Sequence, residues 1–311
     1  MPRKLLIATL VALPFIGLAI AHEPDKTSPF DPTIEDLTIR GEPEMLGVHW
    51  TRDFASARHS RRRSANMTYH GGKILPYTTT KAIFWGSSWA TSPGDKISGL
   101  DLFYQGFGGS HYAGTTTEYT GTNGSVGTSS TYQGHIVDTS VASGGASTSV
   151  ILAEVCKQVT AGNLVPDPSG NGYYPVYTDV PRGNAGYCAY HSVGSCGGKV
   201  VQFAFFWKLD GDPGCDPQDT VNGHSQGLAA LVNVSGHELA EAMTDPANPG
   251  AWYDSAGAEN GDKCAWTFGG PTATLSNGSR WKIQGEWSNA AFSAGTGYPN
   301  SSGQRGCLGG L

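Results

Sequence analysis

The run Leu228-Ala229-Ala230-Leu231-Val232-Asn233-Val234-Ser235-Gly236-His237-Glu238-Leu239-Ala240-Glu241-Ala242-Met243-Thr244-Asp245-Pro246 carries a broad apolar face through Leu228, Leu231, Val232, Leu239, Ala242 and Met243. Its spacing predicts a mostly buried helix of about five turns over residues 227–245, stopped at Asp245-Pro246. Two acids on a helix otherwise built of apolar and small residues share its burial, and buried acids need partners. A cation is one such partner. His237 and Glu241 are four residues apart, so both side chains project from one face and can bind the same ion. Glu238 lies about 100° round the axis from His237, where it can reach a water held by that ion. The pattern is H-E-x-x-E, the H-E-x-x-H of metallopeptidases with a carboxylate in place of the second imidazole. A helix whose polar stripe merely happens to contain these residues is the plain alternative.

A further ligand is expected from the segment C-terminal to the helix. Glu259-Asn260-Gly261-Asp262-Lys263-Cys264 sets two acids around a glycine turn beside a cysteine, and a loop returning beneath the helix would present Glu259 or Asp262 to the ion. The same residues would also make an ordinary solvated acidic turn. Zinc is the first expectation for such a helix, with calcium or manganese admitted by the excess of oxygen donors. His191 is either a further ligand, a residue lining a cleft, or a hydrogen-bonded core histidine. His70, in Tyr69-His70-Gly71-Gly72, reads as a turn residue.

Outward from the helix, the 311-residue chain predicts an α/β domain with a mixed sheet packed against it. Aromatic and β-branched content marks strands at 81–86, 173–178 and 200–209, the last in the middle of the sheet, with helical spacing at 96–107 and 149–161. Only 15% of the residues are charged, and 44 glycines favour short strands and long loops. Residues 1–21, with Arg3 and Lys4 before an apolar run that ends in Ala19-Ile20-Ala21, read as a cleaved secretory signal, leaving no membrane segment. Residues 22–65 lack hydrophobic periodicity and read as an extended arm or prosegment, with order beginning near Asn66 and a single domain over 66–311. The basic cluster Arg58-His59-Ser60-Arg61-Arg62-Arg63 is an exposed linker or a processing site. From Asn66 onward eleven basic residues face eighteen acidic ones, which excludes a nucleic-acid partner. Six cysteines without a C-x-x-C suggest three disulfides in an oxidising compartment; Cys188 with Cys196 and Cys264 with Cys307 are plausible pairs among fifteen arrangements.

Several short motifs carry a family resemblance. Tyr69-His70-Gly71-Gly72, Phe84-Trp85-Gly86, Gly186-Tyr187-Cys188-Ala189-Tyr190-His191, His237-Glu238-Leu239-Ala240-Glu241 with Asp245-Pro246, and the segment from Glu259 to Cys264 together resemble the secreted phosphate-induced protein 1 family, the EXORDIUM-like proteins of plants and their microbial relatives. The resemblance spans residues 66–287. Asp245-Pro246 where plant members carry Asn-Pro, and a lone Cys215 where they carry two cysteines, point to a microbial relative. It implies an extracellular or cell-wall location, and the His-Glu helix is similar to that of zincin metallopeptidases.

Two functions fit these readings. One is a secreted metal-dependent hydrolase of extracellular peptides, with His237, Glu241 and Asp262 or Glu259 holding the ion and Glu238 as general base. The other is a non-catalytic extracellular or cell-wall protein with a structural ion, whose exposed aromatics, among them Trp252, Trp266, Trp281 and Trp287, contact a glycan or a protein. A monomer is expected in either case.

Overall fold

The computed structural model describes residues 43–58, 66–247 and 249–310. The signal, the arm up to residue 42, and the basic run from His59 to Arg63 lie outside them.

Six strands make one mixed sheet: β1 (Leu46–Trp50), β2 (Thr78–Trp85), β3 (Ser130–Asp138), β4 (Gly172–Pro181), β5 (Tyr187–Cys196) and β6 (Lys199–Lys208), in the order β1-β5-β6-β4-β2-β3. β4 and β6 are apolar at successive positions rather than alternate ones, the pattern of strands covered on both faces, and both occupy the interior of the sheet, as expected for 200–209. β2, β3, β4 and β6 run parallel, while β5 runs opposite to both of its neighbours, β6 and β1.

Helix α1 (Lys96–Phe107) follows β2, α2 (Thr148–Thr160) follows β3, and α3 (Gln226–Thr244) follows β6. Side-chain alternation assigns the faces. Tyr177 of β4 stacks on Phe206 of β6 and reaches Tyr104 of α1 and Ser235 of α3 through its hydroxyl, so α1 and α3 cover one face. Leu152 of α2 lies against Gly194 of β5 on the other. Every residue from Gly227 to Thr244 is buried. Burying each large apolar side chain contributes about 1.5–3 kcal/mol, so the helix is fixed by packing rather than by propensity.

The described residues correct two expectations. Order begins before Asn66, because β1 joins the main sheet by pairing with β5, and a short helix (Arg52–Arg58) follows it. Five residues are too few to show periodicity, and β1 is held by backbone pairing and by burial of Val48, His49 and Trp50. Nor do Cys188 and Cys196 pair. They sit at opposite ends of β5, where eight residues of strand span about 26 Å, far beyond the reach of a disulfide. The three bridges are Cys156–Cys196, Cys188–Cys215 and Cys264–Cys307, the last as expected. Together they befit an oxidising compartment. No helix among the described residues is long and apolar enough to cross a membrane.

Cys188–Cys215 ties the sheet to the connection that leads into α3. Replacing both cysteines by serine is expected to cost about 2–5 kcal/mol, read as a lower urea midpoint than wild type under non-reducing conditions.

Candidate metal centre

Helix α3 starts where Ser225 accepts a hydrogen bond from the Leu228 amide, and Asp95 fixes that cap by accepting from both the amide and the hydroxyl of Ser225. It ends where Asp245 leaves helical geometry ahead of Pro246. Between these stops, His237, Glu238 and Glu241 have no solvent exposure. Their only routes to stability are hydrogen bonds, neutralisation or an ion.

Among the described residues, two groups of three donors have ligand atoms within 4.8 Å of one another: His237, Glu238 and Glu241 in one, His191, Glu241 and Glu259 in the other. Glu241 belongs to both. Its Oε2 lies 2.9 Å from His237 Nε2, while its Oε1 accepts a 2.8 Å hydrogen bond from the Asp262 amide. His191 comes from β5 and places Nε2 3.3 Å from Glu259 Oε2. Helix, edge-side strand and loop thus converge on one carboxylate.

The loop is built to meet the helix. The Asp262 carboxylate accepts from the Glu259 amide at 3.3 Å and closes the turn, and Lys263 donates to Asp254 at 3.0 Å behind it. Gly261 is required by space: a side-chain carbon there would lie 2.6 Å from His237 Nδ1 and 3.0 Å from Glu241 Oε1. Gln284 locks the imidazole. Its Nε2 sits 3.0 Å from His237 Nδ1 and donates to the Gly261 carbonyl at 2.9 Å, and its Oε1 faces His49 Nε2 at 3.0 Å.

Burial sets the protonation of these groups. It pushes His237 down to about 4 and, with His237 nearby, His191 down to about 3, so both rings are neutral at physiological pH and have the form that binds a metal. Burial likewise raises the carboxyls: Glu241 to about 8 against the favourable amides of Asp262 and Gly261, and Glu238 and Glu259 well above the ordinary carboxylate range, the former with the help of Glu241, the latter with that of Asp245. A divalent cation among them would reverse that effect by favouring their ionised forms.

The polar atoms left over fit such an ion. His237 Nε2, Glu241 Oε2 and both oxygens of Glu238 are buried without a hydrogen bond of good geometry. All four belong to the three residues of one helical motif, and His191 turns its Nε2 towards Glu259 beside them. Comparisons with protein-family models, curated proteins and solved structures find no match for this chain.

Of the residues singled out in the sequence, His237, Glu238, Glu241, Glu259 and His191 are brought together. Asp262 takes a different part: its amide supports Glu241 and its carboxylate closes the turn. His70 lies apart, stacked on Tyr253 with centroids 3.6 Å away. Trp281 and Trp287 are buried core residues and not an exposed aromatic surface, because the long loop after α3 folds back over its own apolar residues; Trp252 and Trp266 are half-buried. Sequence reasoning missed His49, Gln284 and the buried Glu286, which accepts from Tyr112 at 2.7 Å. None of them belongs to a spaced motif.

Replacing Gln284 with Leu should leave His49 Nε2, His237 Nδ1 and the Gly261 carbonyl without the partner that Gln284 gives each of them in the interior. The expected cost is about 2–4 kcal/mol, measured by thermal or urea unfolding.

Proposed function

We propose that the centre holds one divalent ion, zinc, on His237, Glu241 and His191 with Glu259 beside them, in a secreted, zincin-like hydrolase that acts on extracellular peptides. The observation that carries this reading is the set of unpaired, fully buried donor atoms on His237, Glu238 and Glu241. Zinc is favoured over calcium or manganese because each of the two donor trios that share Glu241 contains an imidazole, His237 in one and His191 in the other. The three disulfides support export.

When bound, the ion supplies a Lewis acid that polarises a peptide carbonyl and an adjacent water. The chain's own residues do the rest. Glu238, one position along from His237 and with both oxygens unpaired, takes a proton from the attacking water. The water oxygen bonds to the carbonyl carbon, the C–N bond breaks, and Glu238 returns the proton to the leaving amine. Gln284 and Gly261 hold the His237 ring in place, and the Asp262 amide holds Glu241.

One observation favours a second reading. All five donor residues have at most 5% of their side chains exposed, as a closed structural ion site would, in a non-catalytic protein that binds a glycan or a protein partner. Glu238 discriminates the two. Elemental analysis should find one ion per wild-type chain, and His237→Ala and Glu241→Ala should lose it and melt earlier. Glu238→Gln should keep the ion and the melting temperature while peptide hydrolysis falls by about 10² or more. Unchanged metal content in Glu241→Ala would contradict the metal reading, and an active Glu238→Gln would contradict the hydrolase.

A further inference from the structure

The centre is closed by the chain itself. β1 lies along β5 as an edge strand, antiparallel, with Leu46 opposite His191, His49 opposite Ala189 and Trp50 opposite Tyr187. The strand spends three residues between the first two pairs where β5 spends two, so its register is broken by a bulge over the centre. At that point Gly47 takes a left-handed conformation, φ +48°, and its backbone drops onto the donors. A side-chain carbon on Gly47 would lie 2.1 Å from Glu241 Oε2 and 2.5 Å from His191 Nε2. The Gly47 backbone faces the His237 ring, and the His49 amide faces the Glu238 carboxylate. His49 itself is fully buried, 4.3 Å from His237 between ring centroids and packed edge-on against Trp266.

These contacts are those that an extended peptide would make. A strand added to a sheet edge gains affinity from backbone hydrogen bonds and specificity from alternate side chains. Here the edge belongs to β5, the strand that carries His191. The Gly47 backbone lies against Glu241 and His191, and the His49 ring packs edge-on beside His237. The irregular register and the short length also make β1 a weaker member of the sheet than β4 or β6, which pair over longer runs.

We infer that residues 46–50 are a resident pseudo-substrate: they occupy along β5 the seat of an extended peptide that presents glycine over Glu241 and His191, and the centre opens when they leave. This inference deepens the hydrolase reading and rests on it for the word substrate. The geometry of the seat stands without it. It also accounts for a fully buried centre in an enzyme, because part of the cover is an edge strand.

The test uses the full chain and a fluorescent synthetic peptide of residues 43–51. Gly47→Ala places a methyl group against Glu241 and His191 and should release β1. Amide hydrogen exchange in 187–193 should then speed up by about tenfold or more while β4 stays protected, and the labelled peptide should bind the variant at least about tenfold more tightly than it binds wild type. The same peptide with alanine at position 47 should bind about tenfold more weakly or not at all. Trp50→Ala, which removes a ring stacked on Phe54 and leaves the donors untouched, gives a second release should Gly47→Ala fail to fold.

A folded variant with unchanged exchange in 187–193 and no peptide binding would overturn the inference. So would global unfolding of both variants, with β4 exchanging alongside β5, since β1 would then be part of the core. Peptide that binds Gly47→Ala while neither protein cleaves any peptide would support the seat and defeat the hydrolase. Cleavage that is neither enhanced by release nor inhibited by the added peptide would defeat the seat and leave the hydrolase standing.

Discussion

A carboxylate taken out of water loses solvation worth several kcal/mol, and α3 takes two of them, Glu238 and Glu241, to zero exposure beside His237. The architecture around them can be read as the set of contacts that makes this tolerable. The Asp262 amide reaches Glu241, Gln284 reaches His237, Gly261 leaves room for both, and β5 brings His191 to the Glu241 carboxylate. These contacts still leave both oxygens of Glu238 and one of Glu241 without a hydrogen bond. A cation would supply what the remaining atoms lack, since it would lower the cost of every carboxylate near it at once.

Much of this was legible in the sequence wherever local chemistry and tertiary role coincide. The 228–246 run announces both its helix and its burial, because apolar residues surround the His-Glu stripe and Asp245-Pro246 can only stop it. The interior strands announce themselves in the same way, through unbroken aromatic and β-branched runs such as Val200 to Trp207. Glu259 was legible from a turn that returns beneath the helix. What stayed hidden depends on long-range pairing. β1 is five residues whose place is set by β5, some 140 positions later, so nothing local marks it. Gln284 is an ordinary polar residue until the fold sets its amide between two imidazoles. Asp262 and Glu259 are equivalent in the sequence, and only the closing of the turn separates the carboxylate that faces His191 from the one that serves the backbone.

The same distinction governs the aromatics. Trp281 and Trp287 come after a glycine-rich loop and carry no periodicity, which makes them look available to a partner, yet that loop doubles back and is tied by Cys264–Cys307. Trp287 lies in a small three-stranded sheet, Glu286–Trp287, Arg305–Leu308 and Tyr298–Pro299, and Trp281 packs against Phe103 of α1 and stacks on His224. Glu259 and Gln284 lie on the same segment that the bridge ties, so the loop that covers the core also supplies contacts to the centre.

Whether one ion sits among these donors is decided by anomalous diffraction at the zinc absorption edge, recorded from crystals of the secreted protein. A single anomalous peak is expected about 2 Å from Glu241 Oε2 and His237 Nε2, with His191 in the same coordination sphere. Crystals of the folded protein with no peak at that position, the carboxyl oxygens paired instead with protons or with each other, would contradict the metal centre.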